Sequence, residues 1–343
     1  MLHYGMEKQN IKIATIGSHS ALQILHGAHQ EGFETIAICA KGKSKPYKSF
    51  GLADKIIEID NLSDFMSVED ILIKENAILI PHGSLIAYVG EKNIAKLRVP
   101  HYGNKKILKW ESDRNKEREW LSESGLKLPK IFKNHKDIDR QVIVKFHGAD
   151  GGQGYFLART PEEFEKKIAQ RTTHKSYVIQ EYIVGVPMYA HFFYSPITKE
   201  LEIMGFDKRY ESNADSIGRI AASDQISADL ETSYTVVGNI PIVLRESLLP
   251  QMFEHGENVI HTSRKIEGPA GLYGPFCLEG IITSDLEFYV FEISARIVAG
   301  VLPYTNGSPY TQIKYNEPMS MGRRIARDIK QAIEQDRLEE VLN

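Results

Sequence analysis

Cysteine is scarce in this 343-residue chain: Cys39 and Cys277 are the only two, each inside an apolar, strand-like run. Thiols embedded in that way read as buried hydrophobes rather than as a disulfide or a metal site. They fit a reducing, cytoplasmic setting. Long apolar runs are also missing. No stretch approaches the roughly 20 residues of a membrane span, and the opening MLHYGMEKQN has no signal-peptide core. Charge of one sign is nowhere concentrated. The net charge is −3, acids and bases are interspersed, and no Lys/Arg block exists to drive binding to a nucleic acid. An anionic ligand must therefore be met by a local pocket. There is no repeat period and no low-complexity segment, and the length suggests two or three packed units.

The most informative stretch is CLEGIITSDLEFYVFEISARIVAG. Two apolar, aromatic-rich runs flank a polar turn at Ser284-Asp285, which predicts a β-hairpin. The expected register pairs Ile281 with Val290 and sets Glu279 opposite Glu292. Residues two apart share a strand face, so Glu292, Ser294 and Arg296 are expected to project together beside Glu279. Two carboxylates, a hydroxyl and a guanidinium on one face are costly to bury without a ligand. Paired acidic oxygens suit Mg2+, which takes one or two carboxylates plus substrate phosphates, and the arginine suits the phosphates. An ordinary surface pair between Glu292 and Arg296 is the alternative.

The N-terminal part alternates strand-like runs (IKIATIG, FETIAICA, DKIIEI, AILIPHG, VPHYG) with helical spacing in SALQILHGAHQEG and after Ser84. That alternation predicts a parallel, Rossmann-like unit from Ile11 to about Asn104. Its ligands bind at strand carboxyl ends, where helix N-termini offer free N–H groups. Ser18, His19 and Ser84 lie at such ends. Both serines are equally suited to capping a helix. The glycine fingerprint of a dinucleotide site is absent, because Ser-His-Ser follows Gly17.

In the centre, VIVKF ends near Lys145 and runs into the glycine-rich GADGGQG before YFLA resumes a strand. Glycines let backbone N–H groups approach an anion, and a lysine at the loop edge supplies a mobile cation. The order is not that of a Walker A loop. It reads as a flap over a nucleotide or as an ordinary hairpin. The strand of SYVIQEYIVGVPM carries Glu181, whose carbonyl or carboxylate can accept from an adenine amino group. A hairpin is expected around ITK, then a helix from Val243 to about Arg264. The C-terminal stretch has helical spacing at Ile325, Ile329 and Ile333.

Glycine flap, strand lysine, QEYIVG hinge and the final Glu/Glu-x-Ser-x-Arg hairpin occur in the order found in ATP-grasp ligases. From ATIGSHSALQILHGA through PHGSLIAYVG to FEISARIVAG, the chain resembles one branch, the archaeal formate-dependent synthetases of purine biosynthesis. These convert aminoimidazole carboxamide ribonucleotide (AICAR) to its formamido derivative (FAICAR) with ATP and formate. The resemblance implies an α/β ATP-grasp fold with a Rossmann-like domain over residues 1–110. Residues 111–343 would form the ATP-grasp domain, with a lid at about 115–182 and a catalytic part at about 183–343. It implies Glu279 and Glu292 as Mg2+ or Mn2+ ligands, and Lys145 on the α/β-phosphates beneath a flap containing Gly151 and Gly152. Glu181 and the Ile183 backbone would meet adenine, Glu211 the nucleotide, and His19, Ser84 and Asn239 the AICAR. Arg296 would act with Lys145 on the transferring phosphoryl group. A cytoplasmic homo-oligomer, with no nucleic-acid or membrane partner, is expected.

This chain departs from the wider superfamily in three places. Ser294 stands where an asparagine usually follows the second metal ligand, Arg114 where a lysine often follows Asp113, and Met188 where relatives carry an acid for the ribose. Glu211 is expected to take that last duty. His19 is expected to be a phosphate ligand more than a base. A ligase of different acid or amine specificity and a catalytically silent nucleotide-binding regulator are the rival functions.

Overall fold

The computed structural model describes residues 6–7, 10–146, 155–170, 176–212, 219–227 and 235–343. Four parallel strands come first: β1 (Lys12–Ile16), β2 (Glu34–Ala40), β3 (Lys55–Ile59) and β4 (Ala77–Leu79), in the order β3-β2-β1-β4. β1 and β2 are apolar on both faces, as strands between helix layers must be. VPHYG contributes bridges, not a strand: His101 pairs with Leu79 and Tyr102 with Leu342. The segments Gly17–Ser20 and His82–Ser84 leave the carboxyl ends of β1 and β4, where such sheets place ligands.

A second, antiparallel sheet contains β5 (Ile131–Phe132), β6 (Val142–Phe146), β7 (Tyr155–Ala158) and β8 (Tyr177–Glu181), in the order β5-β8-β6-β7. Helix Pro161–Ala169, capped by the Thr160 hydroxyl, seals one face with Phe164. Gly151 and Gly152, and with them the flap, lie outside the described residues.

The third sheet is antiparallel: β9 (Val186–Tyr194), β10 (Leu201–Glu211), β11 (Val236–Ile242), β12 (Gly274–Ile282) and β13 (Phe288–Ser294), in the order β11-β10-β9-β12-β13. One face packs Ala190, Phe192, Phe206, Phe276, Leu278 and Ile293 against Trp120, Met252 and Val259 of two helices. These helices are Arg114–Glu123 and Leu249–Glu267. The first of them thus shares the core of the large sheet, although it precedes the small sheet in the chain. The second starts at Leu249, not Val243. Pro250 lacks an N–H and fits only the first turn, so the chain enters through the short 3-10 turn Glu246–Leu248.

The hairpin β12–β13 sets Glu279 opposite Glu292 as expected, but Ile281 pairs with Tyr289 and Gly280 with Val290. The expected Ile281–Val290 pair is absent because Phe291 is an extra residue, a β-bulge. Strict alternation would put Val290 and Glu292 on one face. The bulge lets Val290 and Ile293 enter the core while Glu292 stays half-exposed.

The C-terminal helix Met321–Glu334 crosses helix Ala21–Gln30 at two glycines. A Cβ at Gly27 would stand 2.1 Å from the Arg323 nitrogen, and one at Gly322 would stand 2.0 Å from the Gln23 oxygen. Ile325 and Ile329 are buried there and Ile333 packs at the edge. This docks the parallel sheet against the large sheet and fixes the cleft between them.

Candidate active site

The face of the large sheet opposite its apolar core is polar. Tyr189 and His191 lie on β9, Asp207 and Arg209 on β10, Asn239 on β11, Glu279 on β12, and Glu292 and Ser294 on β13. Strand register places Arg209 beside Asn239, Asp207 beside Tyr189, Tyr189 beside Glu279, and Glu279 beside Glu292. One row of side chains therefore crosses five strands.

Glu279 is buried, and its Oε1 accepts from Ser294 Oγ and from Arg209 Nη2, each at 3.3 Å. Burial, and then the charge of Glu292, push the Glu279 carboxyl up to about 7, against the pull of Arg209 and Arg296. A divalent cation between the two acids relieves both causes, so the pair fits such a group. Among the described residues no cluster of three or more His, Cys, Asp or Glu is poised for a metal.

Lys145, near the end of β6, reaches across from the small sheet, with its Nζ 5.6 Å from the centre of the Phe291 ring on the bulge. Its side chain is open to water yet walled by protein. Desolvation, and then Arg114, lower its pKa, while Glu292 raises it. Arg114 Nη1 lies 4.0 Å from Glu292 Oε2.

β13 is an edge strand, and its outward N–H groups are captured. Ile293 N–H donates to Glu117 Oε1 (2.8 Å) and Ala295 N–H to Glu111 Oε2 (2.9 Å). Burial, and then Glu292, push Glu117 up to about 8. Glu111 also receives Arg296 Nη2 at 2.9 Å. Arg296 follows the end of β13, and its charge acts on Glu279 as the strand pattern predicts. Its guanidinium also reaches the parallel sheet, where a Cβ on Gly83 would be 3.5 Å from it and 3.0 Å from His19 Nε2.

That corner contains His19, Ser18, His82 and Ser84. His19 has a left-handed backbone (φ 51°), stacks on His82 at 5.5 Å, and has Nδ1 2.7 Å from Ser20 Oγ. Desolvation, then His82, Arg296 and Arg209, lower its pKa to about 3, so the ring is neutral near pH 7. Neither serine hydroxyl caps a helix. His82 caps helix Gly83–Val89 by accepting the Ser84 N–H, and the Ser84 hydroxyl donates to Ser18 Oγ at 3.0 Å. His82 Nε2 lies 2.9 Å from the Ile16 carbonyl, so it holds the proton, and burial lowers the pKa of His82 to about 4.

Residues 13–132 match the family described as "Protein of unknown function (DUF1246)", and residues 156–343 match "Domain of unknown function (DUF1297)". The 5-formaminoimidazole-4-carboxamide-1-(beta)-D-ribofuranosyl 5'-monophosphate synthetase of Pyrococcus abyssi is 52% identical over 98% of this chain and 100% of its own length. The chain belongs to this synthetase family. A crystal structure of the IMP biosynthesis protein PurP from Thermococcus kodakaraensis superposes with a TM-score of 0.78 at 32% identity, covering 96% of this chain and 100% of that one. The ADP complex of N5-carboxyaminoimidazole ribonucleotide synthetase shares the fold alone, with a TM-score of 0.66 at 14% identity over 94% of this chain and 78% of that one. The synthetase is thus built on the ATP-grasp fold.

Of the residues expected from the sequence of this synthetase, Glu279, Glu292 and Asn239 share the polar face of the large sheet, Lys145 approaches it from the small sheet, and Arg296, His19 and Ser84 meet at the corner beside the parallel sheet. Glu211 ends β10 two residues beyond Arg209 and acts electrostatically on Tyr189. The Glu181 carboxylate is engaged within the small sheet, accepting from Lys130 N–H (3.0 Å) and Arg140 Nη1 (2.9 Å). Only its carbonyl is left to meet a base. The Ile183 backbone makes no hydrogen bond among the described residues. Gly185 follows, where a Cβ would come 2.2 Å from the Ile282 oxygen, so the hinge lies flat on β12. Sequence reasoning missed Arg209, Asp207, His82, Glu111 and Glu117. The alternation Asp207-Arg209-Glu211 held the signal for the first two. The others depend on tertiary packing.

Proposed function

We infer that this synthetase formylates AICAR to FAICAR, using ATP and formate and releasing ADP and phosphate. Family membership supports the reaction class. One observation supports the site: a single face of the large sheet carries the acid pair at one end and Asn239 at the other, with Arg209 between, and Lys145 approaches the acid end from the small sheet. ATP would lie between the small and large sheets, its adenine at the Glu181 carbonyl and the Ile183 backbone, Glu211 on the ribose, and Gly151 and Gly152 over the phosphates.

Formate is a poor acyl donor because oxide is a bad leaving group. Phosphorylation gives formyl phosphate, whose leaving group is stable. Mg2+ or Mn2+ held by Glu279 and Glu292 would supply charge neutralisation on the phosphates. Lys145 and Arg296 would bring fixed positive charge to the transferring oxygens. The ribonucleotide would lie against the parallel sheet, on His19 and Ser84, with Asn239 across the cleft. A histidine with a pKa near 3 is a weak base, so His19 serves better as a hydrogen-bonding ligand of phosphate, whose charge would raise that pKa. The aminoimidazole nitrogen is conjugated and weakly nucleophilic, so holding it in attack geometry matters most.

The domain division at residues 110 and 111, with a lid and a catalytic part, a cytoplasmic location and a homo-oligomeric state are part of the same reading. No helix among the described residues is long and apolar enough to cross a membrane. The test is phosphate release from ATP with formate and AICAR added singly and together. Release that needs both, with FAICAR formed, supports the reading. Release with another acid or amine but not these points to a different ligase. ATP binding without release points to a regulator.

A further inference from the structure

Behind Asn239 runs a chain of buried polar groups that no step above uses. Asn239 Nδ2 donates to Asp207 Oδ2 at 2.7 Å, and His191 Nε2 lies 2.7 Å from Asp207 Oδ1. The His191 and Asp207 side chains are fully buried. A Cβ on Gly300 would stand 2.2 Å from Asp207 Oδ1, so backbone closes over the carboxylate. His191 Nδ1 is buried without a partner. A proton there would be orphaned at a cost, so the proton sits on Nε2 and donates to Asp207. Arg209 Nε lies 4.0 Å from the other oxygen. Asp207 is thus an acceptor on both oxygens.

With both its oxygens accepting, Asp207 offers no donor, so only the NH2 end of Asn239 can face it. The amide cannot turn over without setting oxygen against oxygen. Asn239 Oδ1 has no partner among the described residues and is held away from Asp207, on the half-buried side of the strand beside Arg209. We propose that Asp207 is a positioning residue that fixes Asn239 as a hydrogen-bond acceptor, so that the cleft selects a ribonucleotide presenting an NH2 group at this point. AICAR has two such groups, the 5-amino and the carboxamide. A 4-carboxylate analogue retains only the first. The proposal rests on the AICAR reading for the identity of the ligand, but the hydrogen-bond polarity of the site does not depend on turnover.

The experiment measures equilibrium binding of AICAR and of its 4-carboxylate analogue by calorimetry, without ATP or formate, and KM and kcat alongside. In Asp207→Asn, the new amide accepts from His191 and donates toward Asn239, which turns its own NH2 to the cleft. AICAR affinity is expected to fall about tenfold or more, as for a buried donor facing a donor, with KM for ATP unchanged. If the carboxamide is the partner, the carboxylate analogue gains; if the 5-amino group is, both ligands lose alike. The exchange Asp207→Asn with Asn239→Asp restores the acceptor and is expected to recover AICAR affinity, which a purely structural role would not produce. Asn239→Ala, at a half-buried position, keeps the test open should Asp207→Asn fail to fold: AICAR affinity must drop while ATP affinity holds. Unchanged AICAR affinity in Asp207→Asn and Asn239→Ala, or no recovery in a folded exchange variant, overturns the proposal. Wild type that binds AICAR but forms no FAICAR sinks the assigned reaction and leaves this inference standing.

Discussion

Glu292 and Glu279 face each other across one strand pair with unequal surroundings, Glu292 half-exposed and Glu279 buried. Glu292→Gln removes one charge and keeps the shape, so it should abolish ATP turnover in Mg2+ and leave the circular dichroism spectrum unchanged. Retained turnover would remove this residue from the metal site. The buried acids also set a pH dependence. Glu279 and Glu117 have folded pKa values of about 7 and about 8, above their ordinary 4.5. The folded state therefore holds these protons more tightly than the unfolded chain. Their contribution to stability is full below pH 4.5 and is lost as pH rises through 7 and 8. Without ligands, the urea midpoint should fall as pH rises from 4.5 to about 8, and Glu117→Gln should flatten that slope. A slope unchanged by the substitution would show that Glu117 is not the group.

At the scale of the element, the bulge in β13 decides the site. It turns Glu292 to the cleft and keeps Val290 in the core. Gly280 makes this possible, because a Cβ there would lie 2.4 Å from the Tyr289 oxygen and 2.4 Å from the Phe288 ring. Gly280→Ala should displace the paired strand and pull the two acids out of register. The expected outcome is loss of ATP turnover together with weakened Mg2+ dependence, while AICAR binding at the opposite end of the face persists. Equal loss of both ligands would instead indicate a general collapse of the sheet. The bulge was not legible beforehand. The alternation in the sequence fits a regular ladder almost as well, and only the packing of Val290 and Ile293 against the helices separates the two registers.

At the scale of the molecule, a cleft between two sheets exists only while the parallel sheet stays docked. Arg324 is buried, donates to Glu202 (3.0 Å) and Asp328 (3.3 Å), and lies 4.3 Å above Phe193. Tyr102, from the N-terminal part, donates to the same Asp328 at 2.9 Å. Removing one partner of such a network strands the remaining charges and costs about 3–5 kcal/mol. Arg324→Met should therefore lower the urea midpoint of the whole chain and raise KM for AICAR more than for ATP. A normal melt would mean that docking does not depend on this network. The sequence by itself determined the strand and helix alternation of the first hundred residues, the final hairpin and the pairing of its two acids. These follow from local periodicity and turn chemistry, and the order of motifs carried the family. Tertiary structure alone decided that Arg296 turns to His19 and Gly83, that Glu181 spends its carboxylate inside the small sheet, and that Asp207 dictates which end of Asn239 meets a ligand. Each of those depends on contacts between residues far apart in the chain, whose charges and free hydrogen-bonding groups become constraints only once packing removes water from around them.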